Sequence, residues 1–464
     1  MKKGLASTAV CALLLYGCES TPVPQLSPQD VPAGFEQPAA ADASVWPAQD
    51  WWKGFGDAQL AAMIDQAQTS NLDIAQAAAR LRQADARARQ AGAALLPSLG
   101  FGANLNSFYG QASGVSQRET DYSAALGASY ELDFWGKNRD AADAAKFARD
   151  ASRADRATVA LTTTSSVANA YFQLLSLRER LGVTKANLKS SDEILNVVQR
   201  RVTAGYAANS ELTQQLATIA ADKAALPALE QQELESRTAL ATLLGRTPEG
   251  FVVTGENLDK LMAPAVRPGL TSELLVRRPD IAAAEASLKA AHADLETARV
   301  AYLPDITLTA NGGLAYPALA AAIDTLPGTG LAANAAASLV QVIFDGGKIR
   351  AKTDETKARE EELLAAYRAA VIAAFADVEN ALGNIQHLSA QEDALKEQAT
   401  QSEKVLRAAQ RKYIAGYTDF LVVTDAERAL YAVRNQYSDI RRAHLVAVVA
   451  LFKALGGGWN AAAP

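Results

Sequence analysis

The sequence predicts a mainly helical protein with membrane β-structure, built as a tandem duplication of one helix–hairpin–long helix–helix unit. Three observations predict it. Residues Lys348 to Ile414 contain no proline, and the larger apolar residues between Leu364 and Ile385 are Leu364, Tyr367, Val371, Phe375, Val378, Leu382 and Ile385. Their spacing averages about 3.5 residues, the period at which helices supercoil around one another. At ~1.5 Å per residue this helix is roughly 100 Å long, too long for one globular core, so it needs long partners. Second, Tyr122 to Phe134 alternates with period 2: Tyr122, Ala124, Leu126, Ala128, Tyr130, Leu132 and Phe134 against Ser123, Ala125, Gly127, Ser129, Glu131 and Asp133. That is a strand with one apolar face. Third, the pattern occurs twice. Asn71-Leu72-Asp73-Ile74 and Leu96-Pro97 return 207 residues later as Arg278-Pro279-Asp280-Ile281 and Leu303-Pro304. Ala204-Gly205-Tyr206 and Leu244-Gly245 return 211 residues later as Ala415-Gly416-Tyr417 and Leu455-Gly456.

Residues 1–17 read as a signal peptide: Lys2 and Lys3 precede an apolar stretch, Leu5 to Tyr16, too short to span a bilayer. It closes on Leu15-Tyr16-Gly17-Cys18, which resembles a bacterial lipobox and predicts a lipid on Cys18. The alternative is an ordinary signal peptide in which Cys18 is incidental. Both cysteines, Cys11 and Cys18, lie in this region, so the rest of the chain has no disulfide, thiolate nucleophile or Cys-based metal site. Residues 18–50, rich in Pro, Ala and Gln, form an extended leader. No other stretch reaches ~18 consecutive apolar residues, so any membrane crossing uses β-structure. With 45 basic and 51 acidic residues, a nucleic-acid partner is not expected.

The first repeat spans 51–246. Trp51-Trp52-Lys53-Gly54-Phe55-Gly56-Asp57 opens a short helical segment, and a helix from about Asp73 to Leu95 stops at Pro97. A hairpin over about 98–134 follows, with Ser98 to Tyr109 as the weaker strand and Gly110 to Thr120 as a polar loop. A long helix over about 138–202 carries Leu174, Leu181, Leu188, Leu195 and Val202 at heptad spacing. It turns at Gly205 into a helix from about Asn209 to Leu244.

A Pro- and Gly-containing connector, 247–270, leads to the second repeat, 271–457. Its hairpin spans about 305–344, with Ile306, Leu308, Ala310, Leu314 and Tyr316 on one face and Thr307, Thr309, Asn311 and Gly313 on the other. The return strand is expected from about Gly330 to Phe344, and the long helix over about 348–414. Residues 458–464 are a tail. In each half the two shorter helices, stacked end to end, match the long one, giving four columns of equal height per chain.

Four strands cannot close a barrel, and open edges in a membrane leave unpaired backbone groups that each cost several kcal/mol. The smallest membrane barrels have about eight strands, so at least two chains must share one. Phe134, Trp135 and Phe344 at one end of the strands, and Phe108, Tyr109, Tyr122 and Tyr316 at the other, fit interfacial girdles. A soluble sheet with one wet face is the competing reading.

Taken in order and duplicated, Leu-Tyr-Gly-Cys18, Trp51-Trp52 with Phe55-Gly56-Asp57, Asn71-Leu72-Asp73-Ile74, Leu96-Pro97, Phe134-Trp135-Gly136-Lys137, Arg277-Arg278-Pro279-Asp280-Ile281 and the two Ala-Gly-Tyr turns make a specific set. Over nearly its whole mature length the sequence resembles the TolC/OprM-type outer-membrane efflux proteins, and among them the NodT-like lipoprotein branch. The resemblance implies a homotrimer with a 12-stranded outer-membrane β-barrel continued by a 12-helix periplasmic α-barrel. It implies a passive duct in a tripartite efflux system that exports drugs or small metabolites, working with a periplasmic adaptor and an inner-membrane pump of RND type. The expected location is the outer membrane of a Gram-negative bacterium, in contact with outer-membrane lipid. No enzymatic activity and no cofactor beyond the lipid on Cys18 are expected.

By the same resemblance the segment 412–428 is the periplasmic aperture. Leu421 would form a hydrophobic ring, Asp425 and Arg428 would hold the aperture shut, and Tyr413 and Gly416 belong to the same segment. Tyr206, Ser210 and Glu211 would face it from the first repeat. Gly205, Tyr206, Gly416 and Tyr417 lie in turns that end helices in a left-handed residue and, by resemblance, meet the adaptor. On the residues alone, Asp425 and Arg428 are equally a solvated pair of one helical face.

Catalysis finds no footing. His292, His387 and His444 are scattered, and Phe344-Asp345-Gly346-Gly347-Lys348 lacks the Ser or Thr of a P-loop and reads as a strand-to-helix turn. With three Met and no His cluster, a soft-metal exporter is disfavoured. Two alternatives stay open: a duct for type I protein secretion, against which the lipobox tilts, and a lipid-anchored periplasmic coiled-coil scaffold that never crosses the membrane.

Overall fold

The structure, a computed structural model, describes residues 22–25, 46–112, 115–264, 271–315 and 331–460. Cys18 and Tyr316 lie outside them. The described chain forms two compact units. One holds Arg80–Arg153 and Ala283–Tyr367; the other holds the described part of Ser27–Ala79 together with Ala154–Ala282 and Arg368–Pro464.

The element order repeats. A 3-10 turn at Trp51–Phe55 precedes α1 (Ala58–Ser70), α2 (Leu72–Ala93), β1 (Ser98–Ala112), β2 (Val115–Leu132), α3 (Lys137–Thr203) and α4 (Asn209–Leu243). Then come α5 (Thr271–Arg277), α6 (Pro279–Val300), β3 (Asp305–Ala315), β4 (Leu331–Val340), α7 (Lys348–Ile414) and α8 (Phe420–Ala454). The long helices α3 and α7 have 67 residues each, and α4 and α8 have 35 each, so one unit is used twice. Among the described residues no helix is long and apolar enough to cross a membrane.

In the first unit the four strands form one antiparallel sheet in the order β1-β2-β3-β4. Directly paired residues share a face, and the register pairs Phe101 with Leu126, Tyr130 with Leu308, and Leu132 with Ile306. Leu99, Phe101, Leu105, Leu126, Leu132, Leu308 and Leu339 therefore lie on one face, and all are exposed in the single chain. The opposite face carries Asn104, Ser123, Ser129, Thr307, Thr309, Asn311 and Asn334, the last two hydrogen-bonded at 3.2 Å. A Cβ at Gly127 would meet Asn311 Oδ1 at 2.7 Å, so a larger residue facing Asn311 across this ladder would have to displace its side chain.

Two boundaries differ from expectation. The expected polar loop, Gly110 to Thr120, continues the ladder down to the Ala112–Val115 pair, because backbone pairing needs no apolar face to propagate. The last strand ends at Val340 instead of Phe344. Its final partner is Asp305, and the preceding Pro304 has no N–H with which to extend the ladder. Phe344 is left 90% exposed in the connection. Asp345 then starts α7, accepting from the backbone N–H of Gly347 at 2.8 Å and of Ile349 at 2.7 Å. Asp133 does the same for α3 through Asn138 and Arg139, both at 2.9 Å.

The second unit has an aromatic core. Trp51 stacks on Phe452 with centroids 4.8 Å apart, Phe55 meets Phe172, and the Tyr171 hydroxyl donates to Asp57 Oδ2 at 2.9 Å. Asp57 Oδ1 also caps α1 through Leu60 N–H. The helix joints at Asn71 and Arg278 do equivalent work with different side chains. Asn71 Oδ1 caps α2 through Asp73 and Ile74 N–H, while its Nδ2 donates to the Leu243 carbonyl at the end of α4. Arg278 binds Asp280 and Asp377 and donates to the Ala454 carbonyl at the end of α8.

Candidate functional site

The candidate site is the pair of helix ends at Thr203 and Ile414 with the helices that follow. Both ends close as Schellman turns. Gly205 (φ 77°) donates to the Val202 carbonyl and Tyr206 to Arg201; Gly416 (φ 83°) donates to Tyr413 and Tyr417 to Lys412. Nothing lies within 4 Å of a Cβ built on Gly205 or Gly416. These two glycines are set by backbone conformation alone. Gly245 and Gly456 form the same turn at packed ends, where a Cβ would meet the Ser70 and Arg277 carbonyls at 2.3 and 1.9 Å. Tyr206 and Tyr417 are 78% and 84% exposed, so the adaptor-contact residues expected from the sequence stand free of their own chain.

Tyr413 is buried in a cluster with Ile194, Val198, Leu406, Phe420, Val423 and Leu430. Its hydroxyl donates to Glu211 Oε2 at 2.6 Å, tying α7 to α4. Burial, followed by the Glu211 carboxylate, pushes that hydroxyl above its usual range. Arg201, at the end of α3, lies 4.5 Å over the same ring and donates to the Tyr413 carbonyl. Tyr413 is thus held by both α3 and α4 of the first repeat. A small groove of about 200 Å³ beside it is lined by Ile194, Val197, Ile414 and Val423.

Leu421, Asp425 and Arg428 form an exposed stripe on α8, at i, i+4 and i+7. Of the residues expected at the aperture, the structure joins Tyr413 to Glu211; Tyr206 and Ser210 are exposed, as are the three stripe residues. Arg201 was not among the sequence candidates. Its signal was available, because Arg200-Arg201 and Arg411-Lys412 occupy the same last turn of each long helix.

Sequence reading also missed the deepest line of α3. The residues at heptad spacing that are almost wholly buried are Leu177, Thr184, Ser191 and Val198; on the leucine line expected from the sequence, Leu174 is wholly buried, but Leu181, Leu188, Leu195 and Val202 are half-buried. Thr184 Oγ1 lies 3.1 Å from the Tyr431 hydroxyl, and Ser191 Oγ contacts carboxylates on two other helices. Of the three histidines, His292 and His444 each sit beside a carboxylate, Glu360 and Glu392, while His387 is exposed. Among the described residues no group of three or more His, Cys, Asp or Glu is arranged to hold a metal.

A four-stranded sheet with an exposed apolar face, together with duplicated long helices ending in open Schellman turns, defines the class: an outer-membrane protein with long helical hairpins. The family model for outer membrane efflux proteins matches residues 63–246 and 270–457, and the chain belongs to that family. It is 41% identical over 98% of its length to the pyoverdine export outer membrane protein OpmQ of Pseudomonas putida, of which 97% is covered. It is 40% identical over 99% of its length to the OpmQ of Pseudomonas aeruginosa, again with 97% covered. Among solved structures it is similar to the outer-membrane channel OprN, with a TM-score of 0.87 at 27% identity over 95% of this chain and 99% of that one. The protein is an outer-membrane efflux channel protein.

Proposed function

We propose that three copies of the chain close one 12-stranded barrel and a 12-helix periplasmic tunnel, a passive exit duct for a tripartite, RND-type pump. The observation that carries this reading is the sheet itself. Its apolar face is exposed and β1 and β4 are both edges, so a membrane setting requires closure with other copies. Cys18 anchors the leader in the outer membrane through its lipid. The Gly205–Tyr206 and Gly416–Tyr417 turns receive the periplasmic adaptor. Tyr413, Leu421, Asp425 and Arg428 form the resting closure at the tunnel tip. Similarity to two pyoverdine exporters over nearly the whole chain supports a siderophore of that kind as cargo.

The test is the purified protein in a planar bilayer, with its oligomeric mass. Trimers that insert and conduct support the duct; a monomer or a non-conducting periplasmic rod returns the scaffold reading. For the cargo, the gene is placed in a Pseudomonas putida strain lacking OpmQ. Restored pyoverdine in the medium supports the assignment, and no restoration despite outer-membrane expression overturns it.

A further inference from the structure

Two carboxyl groups are buried without a cation between α3, α4 and α8. Asp222 on α4 is 8% exposed and Glu427 on α8 is 2% exposed. Ser191 on α3, fully buried, places its one hydroxyl 2.8 Å from Glu427 Oε1 and 3.3 Å from Asp222 Oδ2. Asp222 Oδ2 also accepts from Asn187 Nδ2 at 2.9 Å, and Gln215 on α4 holds the Ser191 carbonyl through its Nε2 at 2.8 Å. Glu427 Oε2 and Gln215 Oε1 are buried without partners.

A serine hydroxyl has one proton to donate, so it cannot satisfy two carboxylates at once. One additional proton removes the conflict. With that proton on Glu427, the carboxylic acid donates to Ser191 Oγ and the serine donates to an ionised Asp222.

We infer that Glu427, Ser191 and Asp222 form a proton-held joint, in which one proton per protomer fastens α8 of the second repeat to α3 and α4 of the first. Glu427 lies in the helical turn between Asp425 and Arg428, with its side chain on the opposite, buried face. Losing the proton therefore loosens the segment that carries the closure; this last step rests on the aperture reading given above.

The surrounding charges do not compensate the pair. Lys185, Lys189 and Asp192 on α3, Lys223 on α4, and Asp425 and Arg428 on α8 are exposed. On α7, Glu403 pairs with Arg407 and with Arg434 of α8 at the groove that includes Asn187. Glu211 serves Tyr413, and the Tyr431 hydroxyl serves Thr184. Burial raises both carboxyls and outweighs the hydrogen bonds that lower them, from Ser191 to each and from Asn187 to Asp222; Asp222 raises Glu427 further, while Arg428 opposes this more weakly. For an acid whose folded value is raised, the protonated fold is the favoured one. The joint is complete at pH below that raised value and is lost as pH rises through it.

The experiment uses the full-length trimer between pH 5 and 8.5, with two readouts. Hydrogen exchange of the 420–433 segment, corrected for base catalysis, is expected to accelerate with rising pH in the wild type. Single-channel open probability should rise in parallel, by up to about tenfold per pH unit for each proton lost. Glu427→Gln, whose amide donates to Ser191 permanently, should hold the acid-side exchange rate across the range. Asp222→Asn should move the wild-type midpoint to lower pH. If exchange is flat with pH, or Glu427→Gln and wild type share one profile, the joint is overturned. If exchange follows the expected pattern and conductance does not, the joint stands and the aperture reading of 421–428 fails.

Discussion

Replacing Tyr413 by Phe removes one hydroxyl and leaves the ring packing intact, so it isolates the tie between α7 and α4. That hydroxyl donates to Glu211 at 2.6 Å, and hydrogen bonds to charged groups contribute about 1.5–3 kcal/mol when buried. Glu211 is half-buried and reaches water, so a value near 1 kcal/mol per protomer is the reasonable expectation. The ring stays buried and Arg201 keeps both its position over it and its bond to the Tyr413 carbonyl, so the fold is not at risk. In a trimer each tie is broken three times, so a concerted closure loses ~3 kcal/mol, about a hundredfold in the closed-to-open ratio. The assay is single-channel recording of wild type, Tyr413→Phe, Glu211→Ala and the double variant. The two single changes should each raise open probability, and the double should exceed neither by much, since both remove one bond. Tyr413→Phe with wild-type open probability would refute the reasoning, and fully additive effects would show that the two side chains act apart.

The exposed stripe gives a second test: Asp425→Ala with Arg428→Ala should raise conductance without lowering trimer stability, and unchanged conductance places closure elsewhere. On the sheet, Leu126→Arg should cost roughly 2–4 kcal/mol at the bilayer midplane and reduce trimer yield far more than Ser123→Arg on the opposite face. Equal yields would mean that the apolar face does not meet lipid. Cys18→Ser should abolish fatty-acid labelling of the protein; persistent labelling refutes the anchor.

Much of the fold was legible because its two periods are strict. The alternation from Tyr122 to Phe134 set which residues share a face of β2, and the Gly-Gly and Ala-Gly-Tyr flanks marked α7 to the residue. Strand ends were less legible, because they depend on where a partner strand runs out, as at Pro304. The seam of α3 was misread for a different reason. Leucines at heptad spacing advertise a core line, but the line that packs deepest carries Thr184 and Ser191, and a hydroxyl in a helix gives no apolar signal. Tyr413 was singled out only by resemblance; its partner Glu211 is 202 positions away, and no local pattern joins them. Asn71 and Arg278 were visible as repeat markers, yet their shared task of binding the end of the neighbouring helix could be seen only in three dimensions.

The composition of the α3 seam bears on how the proposed duct would open. Around Trp51 and Phe452 the chain is fastened by aromatic packing, whereas Thr184, Ser191, Asp222, Gln215 and Glu427 fasten α3, α4 and α8 by polar contacts. Net, such hydrogen bonds contribute about 1 kcal/mol each, while a fully buried leucine contributes about 1.5–3. In the duct proposed above, a polar seam keeps closed and open arrangements within reach of the binding energy of a docking partner. Replacing the joint by apolar residues of similar volume tests this directly, through Ser191→Ala with Asp222→Leu and Glu427→Leu. Exchange of buried ionic groups for hydrophobic ones is often stabilising by about 1–4 kcal/mol. Asn187 reaches water, and Gln215 keeps its bond to the backbone carbonyl of residue 191, so no new buried donor is stranded. The triple variant should therefore unfold at a higher temperature, open less often than wild type and lose its response to pH. A variant that is more stable and opens as freely would show that α8 does not part from α3 and α4 when the channel opens.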